Sequence, residues 1–163
     1  GLGLGRRNIT VSTCGIVPRI IDFGRLRAGY GLAVSLHSAD DSLRASMMPV
    51  ARAYPLADLM AACDTYCELT HRRVTYEYAL IDGVNDSDAD AQALAKLLRG
   101  RLAHVNLIPL NRVAERGLAP SEASRAQNFI NTLKSSRLEA TLRRSLGADI
   151  GAACGQLRAQ TLS

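Results

Sequence analysis

Cys154 lies in the run Asp149-Ile150-Gly151-Ala152-Ala153-Cys154-Gly155-Gln156-Leu157, a lone cysteine between small residues in a segment too short and too mixed to be core. A thiol presented in that way is free to react, because reactivity follows access and thiolate character. A structural cysteine is the competing reading, and spacing by itself leaves both open. The second group of candidates is polar. Ser12, Ser35, His37, Glu77 and Asn106 each occupy an alternate position of a strand-like segment whose other alternate is apolar. Unpaired polar groups buried together cost a few kcal/mol each, so such residues either pair with one another or bind something small and polar. His37 closes the triplet Ser35-Leu36-His37. Beside Ser12 and Asn106 it reads as a ligand-binding residue, with a satisfied structural histidine as the alternative. Glu77 suits a base, an acceptor for a ligand hydroxyl or the partner of an arginine, and spacing does not rank these.

Other features carry blander readings. Cys14 follows the first strand and is read as loop packing near the site. Cys63 and Cys67 have the spacing of a metal pair, but both fall on the apolar stripe of a helix and no third cysteine follows two residues on. Buried cysteine behaves as a small hydrophobe, so the pair is assigned to packing. Gly1-x-Gly3-x-Gly5 precedes a strand instead of linking a strand to a helix, which is the wrong context for a phosphate loop. The absence of any Gly-x-Ser-x-Gly elbow argues against a serine hydrolase.

These residues must be held by elements that alternate strand and helix. Strands are expected over 9–13, 31–37, 73–81, 104–110 and 138–143. Helical spacing of apolar residues predicts a helix over 55–70 (Leu56, Leu59, Met60, Cys63, Cys67), one over 87–99 with Asp88 and Asp90 in its first turn and Gly100 as its stop, and one over 121–135. A weaker helix is expected over 18–27. That order implies parallel strands joined by crossover helices, with helices against the apolar face. The polar residues gather towards the carboxyl ends of strands, where parallel α/β folds bind ligands.

At 163 residues and 47% hydrophobic content the chain suits one soluble domain. No apolar run approaches a membrane span and no signal peptide opens the chain. Net charge is +5, mostly from arginine. Either a GC-rich genome or phosphate recognition explains that, and the pairs Arg6-Arg7, Arg72-Arg73 and Arg143-Arg144 suit a modest nucleic-acid face. With aromatics at 4%, a base-stacking platform is not evident. Two disulfides among four cysteines do not suit a cytosolic chain with a proper core. The abrupt glycine-rich start and the exposed apolar edge expected of a five-stranded open sheet suggest the C-terminal part of something larger.

Six ordered motifs draw these observations together: Ile9-Thr10-Val11-Ser12-Thr13-x-Gly15-Ile16-Val17-Pro18, Ser35-Leu36-His37-Ser38, Val74-Thr75-Tyr76-Glu77-Tyr78, Asp82-Gly83-Val84-Asn85-Asp86, Asn106-Leu107-Ile108-Pro109-Leu110-Asn111 and Ala153-Cys154-Gly155-Gln156-Leu157. From about Arg6 to Leu157 the chain resembles the radical SAM adenine methyltransferases of ribosomal RNA, the RlmN/Cfr family. The resemblance implies an α/β fold, a parallel-stranded partial (βα)6 radical SAM barrel truncated at its N-terminus. On it, residues 1–163 are the C-terminal part of the catalytic domain, without the cluster-binding half or an N-terminal RNA-binding domain.

The resemblance also implies a chemistry. Ser12, Ser35, Leu36, His37 and Asn111 match positions that bind S-adenosylmethionine (SAM), and Cys154 matches the cysteine that transiently carries the methyl group. In the family a second SAM is cleaved by a reduced [4Fe-4S] cluster, and the resulting radical activates the methylated cysteine for addition to adenine. The family's Cys-x-x-x-Cys-x-x-Cys cluster loop, catalytic glutamate and resolving cysteine have no counterpart in this chain, so no metal ligand is assigned to it and the 163 residues alone are expected to be inactive. The implied activity is adenine-C2 methylation of 23S rRNA, with tRNA as a second substrate, an electron donor for the cluster, no membrane, a cytoplasmic location and a monomeric full-length protein. Adenine-C8 methylation of the antibiotic-resistance type, or a non-catalytic remnant binding SAM or RNA, are the alternatives.

Overall fold

Apolar alternation and helical spacing set the elements of the computed structural model, which describes residues 5, 8–109 and 119–143. In chain order these are β1 (Thr10–Thr13), α1 (Val17–Arg25), β2 (Gly31–Ser35), α2 (Asp41–Met47), a 3-10 turn (Pro49–Arg52), α3 (Leu56–Thr70), β3 (Val74–Leu80), α4 (Asp88–Leu98), β4 (Ala103–Pro109), α5 (Ala123–Ser135) and β5 (Glu139–Leu142). The five strands form one sheet in the order β1-β2-β3-β4-β5, and every neighbouring pair is parallel. Parallel neighbours need crossovers, and crossovers of one hand running in one direction place their helices on one face. The sheet thereby acquires a helix side and an open side, the arrangement of a barrel arc.

The helix side is the core. Leu32, Val34, Val74, Tyr76, Tyr78, Val105 and Leu107 are buried there together with the helix residues Leu59, Met60, Cys63, Ala91, Leu94, Leu98, Phe129 and Leu133. The apolar stripes that helical spacing gives α4 (Ala91, Leu94, Ala95, Leu98) and α5 (Ala126, Phe129, Ile130, Leu133) are all buried. Tyr66 joins the stripe of α3, and its hydroxyl donates to the Tyr30 carbonyl at 2.7 Å. Gly24 lets α1 approach α3 closely, since a Cβ there would stand 3.3 Å from the Tyr66 backbone. As an edge strand, β1 leaves Val11 exposed, as is Ile9 just before it.

Start and stop signals act as expected for α4. The Ser87 hydroxyl accepts from the Asp90 N–H and the Asp90 carboxylate accepts from the Ser87 N–H, a reciprocal cap. Gly100 follows in the left-handed region at φ 75°, where only glycine avoids a Cβ penalty. Ser87→Ala removes one half of the cap and is expected to cost about 1 kcal/mol, read as a shift in urea midpoint without a change in slope.

Most elements begin or end within a residue or two of expectation, and three differences have a local cause. Pro55 is the N-cap of α3 and not its first helical residue. The second strand stops at Ser35 instead of running to His37, because His37 turns out of the sheet at φ 61°. The stretch between β2 and α3 carries α2 and the 3-10 turn, neither of which the periodicity predicts. A seven-residue helix offers too few turns for a stripe, and the one local signal was Asp40, whose carboxylate accepts from the Leu43 N–H at 2.7 Å.

Candidate functional site

The open face of the sheet carries the polar alternates, as the sequence predicts, and the strand register arranges them in rows. One row runs Ser12, Ala33, Thr75, His104, Glu139 across all five strands. The next, nearer the carboxyl ends, runs Ser35, Glu77, Asn106, Thr141. Ser12 is exposed, whereas Ser35, His37, Glu77 and Asn106 are half-buried. Ser12, Ser35, Glu77 and Asn106 therefore share the open face, and His37 follows Ser35 at the β2 tip, with its ring against the Ala79 N–H. Asn111 and Cys154 lie outside the described residues.

Arg44, which the sequence reading did not single out, organises the tips of β1 and β2. Its side chain is fully buried. Nε donates to the Leu36 carbonyl at 3.2 Å, Nη2 to the carbonyls of Cys14 at 3.0 Å and Ser35 at 3.3 Å, and Nη1 to that of Tyr54 at 3.5 Å. Burial weakens the hold on its proton, and the nearby Asp41 opposes that effect. Gly15, at φ 102°, completes the nest: a Cβ there would stand 2.9 Å from Nη2.

Asn85 makes the second clasp. It is wholly buried, and its side chain is saturated. Oδ1 accepts from the Ile81 N–H at 2.8 Å, and Nδ2 donates to the carbonyls of His37 at 2.7 Å and Ala79 at 2.8 Å. Asp86 steadies the same turn by accepting from the Gly83 N–H and the Ser121 hydroxyl. The Asp82-Gly83-Val84-Asn85-Asp86 motif is thus a fastener between β3 and the β2 tip.

His37 is held in one state. Its Nδ1 accepts from the Ala79 N–H at 3.0 Å, so the neutral ring carries its proton on Nε2 and can only donate there. Burial, and secondarily the Arg44 charge, lowers its pKa from 6.5 to about 4. The unfolded chain therefore takes the proton first as pH falls. The stabilisation is complete above about pH 6.5 and is lost as pH drops towards 4, amounting to about 3 kcal/mol. Denaturant titrations of the protein and its His37→Asn variant between pH 7 and 4 should converge by that amount; parallel curves would refute the assignment.

The Leu36 side chain is fully buried in the core. Its N–H donates to the Glu77 carbonyl at 2.9 Å and its carbonyl accepts from Arg44. What it gives the site is the backbone between Ser35 and His37. Further along the open face, His104 Nε2 lies 2.9 Å from the Thr141 hydroxyl, while its buried Nδ1 stands 3.7 Å from Glu139, the ion-pair partner of Arg73. Burial, then Arg73, lowers the His104 pKa.

The Cys14 side chain is exposed, and its carbonyl is what Arg44 uses. Cys63 is sealed in the core, where burial pushes its thiol up to about 12. Cys67 is half-buried with Sγ 3.8 Å from the Leu102 carbonyl. A protonated, packed thiol is a poor metal ligand. Among the described residues no group of three or more His, Cys, Asp or Glu is placed to hold a metal ion.

Comparison with known proteins gives these features a context. The chain is 52% identical over 158 residues to a protein of Lachnoclostridium phytofermentans described as "Probable dual-specificity RNA methyltransferase RlmN", covering 97% of this chain and 44% of that one. It is 51% identical over 162 residues to a protein of the same description from Alkaliphilus oremlandii, covering 99% and 47%. Among solved structures, a radical SAM methyltransferase from Sphaerobacter thermophilus superposes with a TM-score of 0.92 at 51% identity, over 96% of this chain and 46% of that chain. A domain of pyruvate-formate lyase-activating enzyme from Bacteroides vulgatus superposes at 0.63 with 18% identity, over 83% of this chain and 80% of that one, a likeness of fold alone. No family model matches. The chain spans about half the length of the curated relatives it matches.

Proposed function

This chain belongs to the RlmN type of radical SAM methyltransferase, and on that premise we propose that it forms part of an adenine-C2 methyltransferase of 23S rRNA that also accepts tRNA. The observation that carries the reading is identity near one half, running over 97–99% of the chain, with proteins described as dual-specificity RNA methyltransferases.

Ser12, Ser35, His37 and Asn111 are the residues that hold SAM, on the backbone frame that includes Leu36. The open face suits such a ligand. Ser12 and Ser35 contribute hydroxyls, His37 a fixed Nε2 donor, and Glu77 a carboxylate without a hydrogen-bond partner among the described residues. That mixture fits a molecule with a ribose, an adenine and a positive sulfonium. When bound, SAM supplies the methyl group and, with an iron–sulfur cluster, the radical chemistry. The ligands of that cluster are not among the described residues. Cys154 is the temporary carrier: its thiol would give up its proton and bond the methyl carbon as the sulfonium C–S bond breaks and S-adenosylhomocysteine leaves, and the resulting thioether would present that carbon to the adenine ring. The 163 residues by themselves do not turn over, and the full-length protein is a monomer that takes electrons from a separate donor. Its place of work is the cytoplasm, with its RNA; no helix among the described residues is long and apolar enough to cross a membrane.

The test is to express the full-length protein in a host stripped of its own enzyme and to digest the 23S rRNA and tRNA for mass spectrometry. 2-Methyladenosine in both is the expected product. 8-Methyladenosine would replace the reading with the resistance-type activity, and unmodified RNA would leave a binding remnant.

A further inference from the structure

We propose that Arg44 is the positioning residue of this site, its guanidinium setting the tips of β1 and β2 so that Ser12, Ser35 and His37 are presented together. The proposal rests on reading those residues as the SAM site. Arg44 is fully buried, and no carboxylate among the described residues lies within ion-pair distance of it. A cation buried without a carboxylate in contact costs several kcal/mol unless dipoles replace its water. Here four carbonyls do so, from the β1 tip (Cys14), the β2 tip (Ser35, Leu36) and the approach to α3 (Tyr54).

The geometry of the fork matters more than its charge. Peptide groups are planar, so a held carbonyl fixes the plane on which the next N–H also lies. The Leu36 carbonyl held by Nε defines the plane entering His37, and the His37 carbonyl held by Asn85 defines the plane leaving it. Both planes of a residue at φ 61° are thereby pinned, which is how an unfavourable backbone conformation persists. The same guanidinium, through Nη2, ties Ser35 to Cys14 across the strand pair. Lysine, a compact charge on a flexible stem, cannot reproduce that fork.

The test uses the full-length reconstituted enzyme and its Arg44→Lys variant. Three quantities are measured: KM for SAM with kcat, melting temperature, and the nitrogen-15 signals of His37 without SAM. Arg44→Lys is expected to raise KM for SAM about tenfold while kcat stays within about threefold. The single Nε2–H form of His37 should give way to a mixture of both tautomers. A lower melting temperature with unchanged KM and an unchanged His37 signature would overturn the proposal.

Gly15→Ala provides a second approach that retains the arginine: its Cβ would press on Nη2 from 2.9 Å and on Leu59 Cδ1 from 3.2 Å, at a φ of 102° that strains any side chain. It should raise KM for SAM in the same way, and no rise would count against the proposal even if the lysine variant fails to fold. Should Ser35→Ala and His37→Asn both leave KM for SAM untouched, the SAM reading itself fails, and this proposal with it.

Discussion

Replacing Cys154 with alanine in the full-length enzyme is expected to reduce RNA methylation by at least about a thousandfold, with SAM binding and melting temperature unchanged. Adenine C2 is an electron-poor ring carbon, so direct polar transfer of a methyl group to it is unfavourable. A thiol that first carries the carbon divides one difficult step into two easier ones, the usual reason for covalent catalysis. Alanine removes the only atom that can accept the methyl group at that position, and no neighbour in Gly151-Ala152-Ala153-Cys154-Gly155 offers another nucleophile. Methyl transfer from labelled SAM to RNA measures the loss directly. Undiminished transfer would end the carrier assignment, while loss accompanied by failure to bind SAM would point to a structural role.

The second large effect concerns Asn85. Asn85→Leu keeps the branched outline, with a somewhat larger side chain, but removes three hydrogen bonds at a fully buried site. The Ile81 N–H and the carbonyls of His37 and Ala79 would be left without these partners, at about 1–3 kcal/mol each. An overall loss of about 4 kcal/mol is expected, which for a protein of this size lowers the melting temperature by roughly 12 °C. Asn85→Asp separates the roles of the two ends of the amide. Its oxygen can still accept from Ile81, but at neutral pH a carboxylate would face two carbonyls. The native state should hold the proton of that acid more tightly than the unfolded chain does. The deficit relative to the parent should therefore be smaller at pH 5 than at pH 7. Thermal melts at the two pH values check the sign, and a deficit independent of pH would refute the assigned orientation of the amide.

The parts of the fold legible in the sequence are those governed by short-range periodicity. Alternation in β2, β3 and β4 correctly assigned Leu32, Val34, Val74, Val105 and Leu107 to the helix side. It also placed Ser35, Glu77 and Asn106 together on the other side, because a strand's period of two is independent of what it packs against. The stripes of α4 and α5 and the acids opening α4 were readable for the same local reason. α2 was not, since seven residues are too few to display a period.

Order and composition along the chain determined that parallel strands would be joined by helices, that a polar face would form near their carboxyl ends, and which family the motifs belong to. Tertiary structure alone decided how that face is held. Arg44 meets Cys14 across 30 positions, and Asn85 meets His37 across 48. Contacts that distant leave no periodic trace, because they depend on where strand tips lie once the sheet has formed. The tautomer of His37 was decided in the same way: a backbone N–H from β3 selects which ring nitrogen keeps its proton, and that donor has no place in the local sequence around His37.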